Sequence, residues 1–441
     1  MSKGNMLARH NRFIKLSIIT QFFPPDYAAT GQLIEELALQ LGKLGLPVHV
    51  FTGQPGYAFH NESAPQIEYL DQVMIKRSRT TRLWSKRIRG KALNGLLFCL
   101  RSAVHLLRGR SRGDVLLLTT APPFLPILGY LAYKFFGLPY ICLIYDLYPD
   151  VALELNVVTS KHWTVRLWDT VNRHVWKRAQ KIIVLSSTMK DRIVAKCPEV
   201  SDKIRVIHNW ADPSQIVPIA KHQNWFAKAF NLVDTFTVLY SGNMGRCHDM
   251  ETILEAAKLL KDEPIQFVFI GNGAKRQGFR EEASQLGLKN CQFLPYQEKQ
   301  NLPYSLTACD LSLVSVSPGM EGLVAPSKLY AALAAGRPLG IICEPHSYLR
   351  SILKDSGCGE AFNNGDAEGL AAFIRHLAAD SQLTKQMGQA ARSYLESNFT
   401  PDLIAQQYSQ VIREVVFGKD IEPSSSRYVE KVTSQSLPLG K

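Results

Sequence analysis

Short runs of consecutive apolar residues alternate along most of the chain with longer stretches in which apolar positions return every third or fourth residue. Runs of the first kind fit strands buried on both faces of a parallel sheet, and stretches of the second fit the helices that cover it. The first complete unit is a strand at 14–20, a loop with Pro24 and Pro25, then Gly31 and a helix carrying Leu33, Ile34, Leu37, Leu41 and Leu44. Gly45 ends that helix and 48–52 forms the next strand, which is a βαβ unit of ordinary length. The same order returns after residue 230, with a strand at 235–241, the loop Gly242-Asn243-Met244-Gly245, a helix at 250–260 and a strand at 265–270 closing on Gly271-Asn272-Gly273. Further strands are expected at 114–119, 140–145, 181–186 and 204–208 in the first half, and at 291–294, 311–316 and 339–343 in the second. Strands alternating with helices in this way predict an α/β fold of two Rossmann-like domains, each opening with a glycine-bearing loop at a helix start.

With 441 residues the chain is too long for one core. We expect an N-terminal domain over 14–208 and a C-terminal domain over 209–400, joined near 209–223, where Pro213 and Pro218 interrupt the pattern. Residues 383–417 read as two helices separated near 398–401, the second of which, about 402–417, is expected to pack back on the first domain. The polar segment 418–441 has little to bury and is expected to be disordered. Residues 115–133 carry no charge and are long enough to span a membrane. Pro122, Pro123 and Pro126 inside that stretch favour instead a buried strand, a loop and an apolar helix at about 124–136.

The formal net charge of +13 is concentrated in one place. Between Lys76 and Gly113 stand twelve Lys or Arg residues and no carboxylate. Within that stretch Leu93, Leu96, Leu97, Leu100, Val104 and Leu107 recur at helical spacing beside Lys86, Arg87, Arg89, Lys91, Arg101 and Arg108, an amphipathic cationic helix. An anionic membrane surface is the expected partner of residues 76–112; a basic face without a partner is the other reading. Aromatic residues are not interleaved through the patch and no recognition module is visible, so nucleic acid is not expected. The eight cysteines form no CxxC pair and no Cys/His cluster, which indicates neither zinc nor a disulfide scaffold. No secretory leader is recognisable, and a cytoplasmic location is expected.

Candidate chemistry lies mostly in the second half. Pro326-Ser327-Lys328 opens a short Ala-rich helix, and a hydroxyl and an ammonium beside free amides suit an anion. The Phe23-Pro24-Pro25-Asp26 loop, Tyr145-Asp146-Leu147-Tyr148-Pro149-Asp150, Asn209-Trp210-Ala211-Asp212, Gly242-Asn243-Met244-Gly245 and Pro326-Ser327-Lys328 occur in an order that resembles the retaining nucleotide-sugar glycosyltransferases of family four, with the GT-B fold. The likeness spans roughly 14–417 and is closest to the branch that builds O-antigen, colanic-acid or other exopolysaccharide units.

That resemblance implies a nucleotide-sugar donor, taken as a UDP-sugar, in the C-terminal domain and a polyprenyl-diphosphate-linked or other glycan acceptor in the N-terminal one. Transfer would occur in the cleft between them, at the inner face of the membrane. Lys328, Arg246 and Asp146 are the expected catalytic residues. Gly31, Gly242, Asn243, Gly245, Gly271, Asn272, Gly273, Pro295, Tyr296, Glu321 and Ser327 are the expected substrate-binding residues. No cofactor is expected, and no Asp-x-Asp pattern is present to clamp a metal on a diphosphate. The chain departs from the family where two Glu residues normally stand eight apart, because Leu323 and Ala331 occupy those positions, with Glu321 two residues out of register. A sugar-nucleotide epimerase of the same architecture and a catalytically inactive binding partner remain the alternatives.

Overall fold

The computed structural model describes residues 14–26, 29–55, 64–79, 88–109 and 112–418, apart from the side chains at 88, 89, 91 and 92. Of the positions singled out above, Arg82, Lys86, Arg87, Arg110 and the segment 419–441 lie outside the described residues, as do the side chains of Arg89 and Lys91.

The first lobe is an eight-stranded sheet in the order β3-β4-β2-β1-β5-β6-β7-β8. Its strands are β1 (Leu16–Ile19), β2 (Val48–Thr52), β3 (Ile67–Leu70), β4 (Val73–Arg77), β5 (Val115–Thr119), β6 (Tyr140–Ile144), β7 (Lys181–Val184) and β8 (Ile204–Val206). All neighbours are parallel except β3 and β4, which form an antiparallel edge hairpin. The helices of this lobe are α1 (Ala29–Lys43), α2 (Ile88–Leu107), α3 (Pro126–Phe136), α4 (Asp150–Glu154), α5 (Trp163–Arg178) and α6 (Ser187–Lys196).

The second lobe is a six-stranded parallel sheet in the order β11-β10-β9-β12-β13-β14. It contains β9 (Phe236–Ser241), β10 (Ile265–Ile270), β11 (Cys291–Leu294), β12 (Leu311–Ser315), β13 (Leu339–Ile342) and β14 (Gly359–Phe362). Helices α7 (Trp225–Ala229), α8 (Glu251–Leu259), α9 (Arg276–Gln285), α10 (Leu302–Thr307), α11 (Lys328–Ala334), α12 (Tyr348–Ser356), α13 (Ala367–Ala379) and α14 (Ser381–Asn398) belong to this half, and α15 (Pro401–Phe417) follows. The central strands β5, β6 and β12 are buried at every position; β5 and β6 read as apolar runs for that reason, whereas β12 also buries Ser312 and Ser315.

The last helix crosses back to the first lobe. Thr400 caps its start, it lies against α1 and β5, and Lys181 pairs with Glu414 at 2.8 Å. The linker is held to the second lobe by Arg392, whose guanidinium donates to the carbonyls of Pro213, Ile216 and Ala334. Trp210, at the start of that linker, donates its indole N–H to Glu36 of α1 at 2.6 Å.

The structure adds to the sequence reading at three places, and at the third it agrees with the expected strand, loop and helix. The β3–β4 hairpin was not foreseen, and it takes Arg77 out of the cationic surface: Arg77 is buried, pairs with Glu68 at 2.6 Å and donates to the carbonyls of Pro65 and Pro24. The apolar stripe of α2 does not face the core. Phe98, Cys99, Ser102 and Leu106 are the buried positions, whereas Leu96, Leu100, Val104 and Leu107 are about half exposed. The uncharged stretch 115–133 divides into β5, a proline loop and most of α3, and among the described residues no helix is long and apolar enough to cross a membrane.

Candidate functional site

Neighbouring parallel strands bring their carboxyl ends, and the loops that follow them, to one edge of the sheet. Because β9 pairs with β10, the two glycine loops lie side by side: Gly242 N donates to Ile270 O and Met244 N to Asn272 O, both at 2.8 Å, and Lys275 N donates to Met244 O at 2.9 Å. Gly271, at φ +131°, passes so close to the Gly242 carbonyl that a Cβ there would overlap it. The paired loops therefore present a surface of main chain rather than side chains.

On the other side of β9 the chain leaves β12, turns through 316–327 and starts α11, which places Lys328 over the end of β9. Its ammonium donates to the Tyr240 hydroxyl and to the Asn243 carbonyl at 3.3 Å, and lies 3.8 Å from the centre of the Tyr240 ring. An ammonium has three donors, so one remains for a ligand. Burial pulls its pKa down to about 7. His248 completes the wall, with Nδ1 2.9 Å from the Ser315 carbonyl and its ring edge-on to Tyr240. Burial, with Lys328 as the nearest charge, pushes that imidazole down to about 3, so it stays neutral and Nδ1 is the donor to the carbonyl.

The first lobe supplies Asp146, just past the end of β6. The main-chain amides of Tyr145 and Asp146 both donate to Thr120 Oγ1, which fixes the turn, and burial raises the Asp146 carboxyl to about 6. Its charge in turn contributes to raising the thiol of Cys247, in the loop beside His248, and the phenol of Tyr148. Asp146 immediately precedes Leu147, whose main-chain amide donates to Leu323 of the second lobe.

The lobes also touch directly. Leu147 N donates to Leu323 O at 2.9 Å, Thr188 Oγ1 to a Glu321 carboxylate oxygen at 2.7 Å, and Arg192 to the carbonyls of Gly319 and Glu321. Gly322, at φ +74°, fits here because a Cβ would come 2.7 Å from the Thr188 carbonyl oxygen.

Of the residues expected from sequence, Gly242, Asn243, Gly245, Gly271, Asn272, Gly273 and Lys328 form one continuous surface. Pro295 and Tyr296 extend it past the end of β11, both exposed. Arg246 stands on the same loop with its side chain exposed. Ser327 precedes α11 without capping it through its side chain. Gly31 lies in the first turn of α1, and its close approach is to the main chain of Phe22 and Phe23 in its own lobe. Glu321 is buried and turned to Thr188 of the first lobe, while Leu323 is fully buried, so neither presents a carboxylate beside Lys328. Tyr240 and His248 were not foreseen as site residues. The only signal for Tyr240 is its place one residue before the end of a strand that opens a glycine loop. Among the described residues no group of three or more His, Cys, Asp or Glu is arranged to hold a metal.

Two family models match successive parts of the chain. The family "Glycosyltransferase Family 4" matches residues 30–215, and "Glycosyl transferases group 1" matches residues 222–394. The chain is 25% identical over 417 residues to the probable glycosyltransferase WbjE of Pseudomonas aeruginosa, which covers 91% of this chain and 98% of that one. It is 28% identical over 235 residues to the putative colanic acid biosynthesis glycosyl transferase WcaI of Escherichia coli K12, covering 53% of this chain and 56% of that one. Among solved structures, sucrose-phosphate synthase from Thermosynechococcus elongatus superposes with a TM-score of 0.72 at 18% identity, over 91% of this chain and 99% of that one. Anabaena HepE in complex with UDP and glucose gives a TM-score of 0.69 at 13% identity, over 91% of this chain and all of that one.

Proposed function

Taking as premise that the chain is a glycosyltransferase of GT-B fold with relatives named in polysaccharide biosynthesis, we propose that it moves a sugar from a UDP-sugar to a polyprenyl-diphosphate-linked or other glycan acceptor, with retention at the anomeric carbon. The observation that carries this reading is Lys328, held by Tyr240 and the Asn243 carbonyl above two paired glycine loops, with a donor to spare. A diphosphate needs close main-chain amides and a cation, and this surface offers the Lys328 ammonium with the amides of Asn243, Gly245 and Asn272, which the loop pairing leaves unused. The choice of UDP is supported by the likeness in fold to HepE, whose solved complexes contain UDP or UDP-glucose.

In the reaction the bond between the sugar and the diphosphate breaks, negative charge grows on the leaving oxygen and positive charge on the sugar ring. Lys328 and the loop amides stabilise the first, and stabilisation of developing charge is commonly the largest part of catalysis. Arg246, exposed on the same loop, adds a second cation once the donor is in place. Asp146, on the first lobe, orients hydroxyls of the acceptor or the sugar. Main-chain amides near Pro295 and Tyr296 take the nucleoside. The acceptor is lipid-linked, and the basic surface within 76–112 holds the first lobe at the inner face of the membrane, each basic residue near anionic lipid contributing about 1 kcal/mol.

The test supplies the full chain with UDP-, GDP- and ADP-sugars, with and without polyprenyl-diphosphate-linked acceptors, and follows nucleoside diphosphate release and the anomeric configuration of the product by NMR. Release of UDP that requires the acceptor, with retained configuration, is expected. Conversion of the nucleotide-sugar without any acceptor would favour an epimerase, and no turnover of any donor would favour an inactive binding partner.

A further inference from the structure

We propose that the membrane-facing surface is the outer layer of the first lobe formed by α2, α3 and α5 together, and that its occupant is an anionic lipid bilayer entered by Phe135, Phe136 and Trp163. This rests on the reading above that the first lobe works at a membrane, and it assigns the contact mainly to two helices that the sequence pattern did not implicate.

The three helices lie side by side, α2 against α3 and α3 against α5. They share one face of the sheet, because right-handed crossovers that step from β4 to β5, β6 and β7 in the same direction put their helices on the same side. The opposite face is covered by α1 and α15, which pack on each other. Half of the large apolar side chains that are exposed among the described residues fall on this one layer. Leu96, Leu100, Val104 and Leu107 form a stripe along α2, each 48–64% exposed. Leu131, Phe135 and Phe136 continue it on α3, and Trp163 and Leu167 on α5, with Phe135 and Trp163 each 68% exposed. Exposed apolar side chains concentrated on one layer in this way point to an interaction site.

The charges on the layer select the occupant. Exposed cations accompany the apolar positions: Arg108 just past the end of α2, Lys134 on α3, and Arg166, Arg173 and Arg178 on α5. Only one carboxylate occurs on the three helices, Asp169, and Lys196 takes it at 2.9 Å. Aromatic rings beside cations repeat the pattern, with the Arg112 guanidinium 3.4 Å from the centre of the Phe136 ring. Aromatic side chains settle at the headgroup level of a bilayer while basic ones reach the phosphates. A second copy of this chain would bring like charges together, so the surface does not complement itself. Helices that follow parallel strands start at the strands' carboxyl ends, so Trp163 lies toward the cleft edge and Phe135 and Phe136 toward the far edge. Lipid along this layer therefore runs up to the lobe edge on which Asp146 stands.

The test is co-sedimentation of the full chain with phosphatidylcholine vesicles and with vesicles containing phosphatidylglycerol, comparing wild type with the double variant Phe135→Ser/Trp163→Ser and with Arg166→Glu/Arg173→Glu. All the substituted side chains are exposed, and unchanged stabilisation by UDP in a thermal-shift assay checks that each variant is folded. Wild type is expected to sediment with the anionic vesicles and each variant to lose at least tenfold in partitioning. Wild-type-like sedimentation of both variants would overturn this proposal while leaving membrane attachment through α2 intact. Failure of wild type to bind anionic vesicles would overturn both readings, and a dimer by light scattering that Phe135→Ser/Trp163→Ser dissolves would replace lipid by a second copy of the chain.

Discussion

Lys328 and Asp146 are both held against their charge. The lysine is pulled down to about 7 and the aspartate pushed up to about 6, in each case by burial. A carboxyl whose folded pKa lies above its unfolded value supports the fold below the unfolded value and loses that contribution as pH rises through about 6. Asp146→Asn is therefore expected to raise the melting temperature by several degrees at pH 8, corresponding to about 2–3 kcal/mol, and to leave it unchanged near pH 3. Scanning calorimetry at the two pH values checks this, and the same variant should lose transfer activity. Both residues were legible because each follows a recognisable punctuation: Lys328 comes after Pro-Ser at a helix start, and Asp146 directly follows an apolar strand. Glu321 was not legible in the same way. Its role depends on how the turn 317–323 is directed, and Gly319 and Gly322, both at positive φ, carry that turn over to Thr188 and Arg192 of the other lobe.

At the scale of elements, buried parallel strands announce themselves and everything at an edge does not. β5 and β6 could be read from their apolar runs alone, whereas β3 exposes Ile67 and Tyr69 and so gave no such signal. The stripe on α2 was visible as helical spacing, but spacing cannot say which side of a helix meets the core, and here Phe98, Cys99 and Leu106 do. The linker has a physical fastening that composition did not reveal. Arg392 reaches three carbonyls on the linker and on α11, and α11 carries Lys328 at its other end. Arg392→Ala leaves those carbonyls without their donor, each costing about 1–3 kcal/mol where it stays dry. A lower midpoint in urea unfolding and faster proteolytic cutting within 213–220 are expected. Arg392→Lys should behave almost as badly, because a single ammonium does not reproduce the planar fork.

For the whole molecule, two parallel sheets turn related edges toward one another, and the helix after Thr400 ties the end of the chain back to the first lobe. The second lobe carries the paired glycine loops and Lys328; the first carries Asp146 and an outer layer of exposed apolar and basic side chains. The repetition of the βαβ pattern made this arrangement readable, since each half repeats the same grammar, but the contacts between the lobes depend on loops whose direction no periodicity encodes. Lys328 and the paired glycine loops are proposed to grip the donor diphosphate. The most direct measurement is calorimetric titration of a UDP-sugar into wild type and Lys328→Met between pH 6 and pH 9. An ammonium whose pKa lies near 7 in the empty site must take up a proton when the anion binds above that pH. Wild-type affinity should therefore fall by up to about tenfold per pH unit above 7, with measurable proton uptake. Lys328→Met should bind at least tenfold more weakly at pH 6 and show no such slope. Equal affinity of the two proteins, with the same dependence on pH, would contradict the claim.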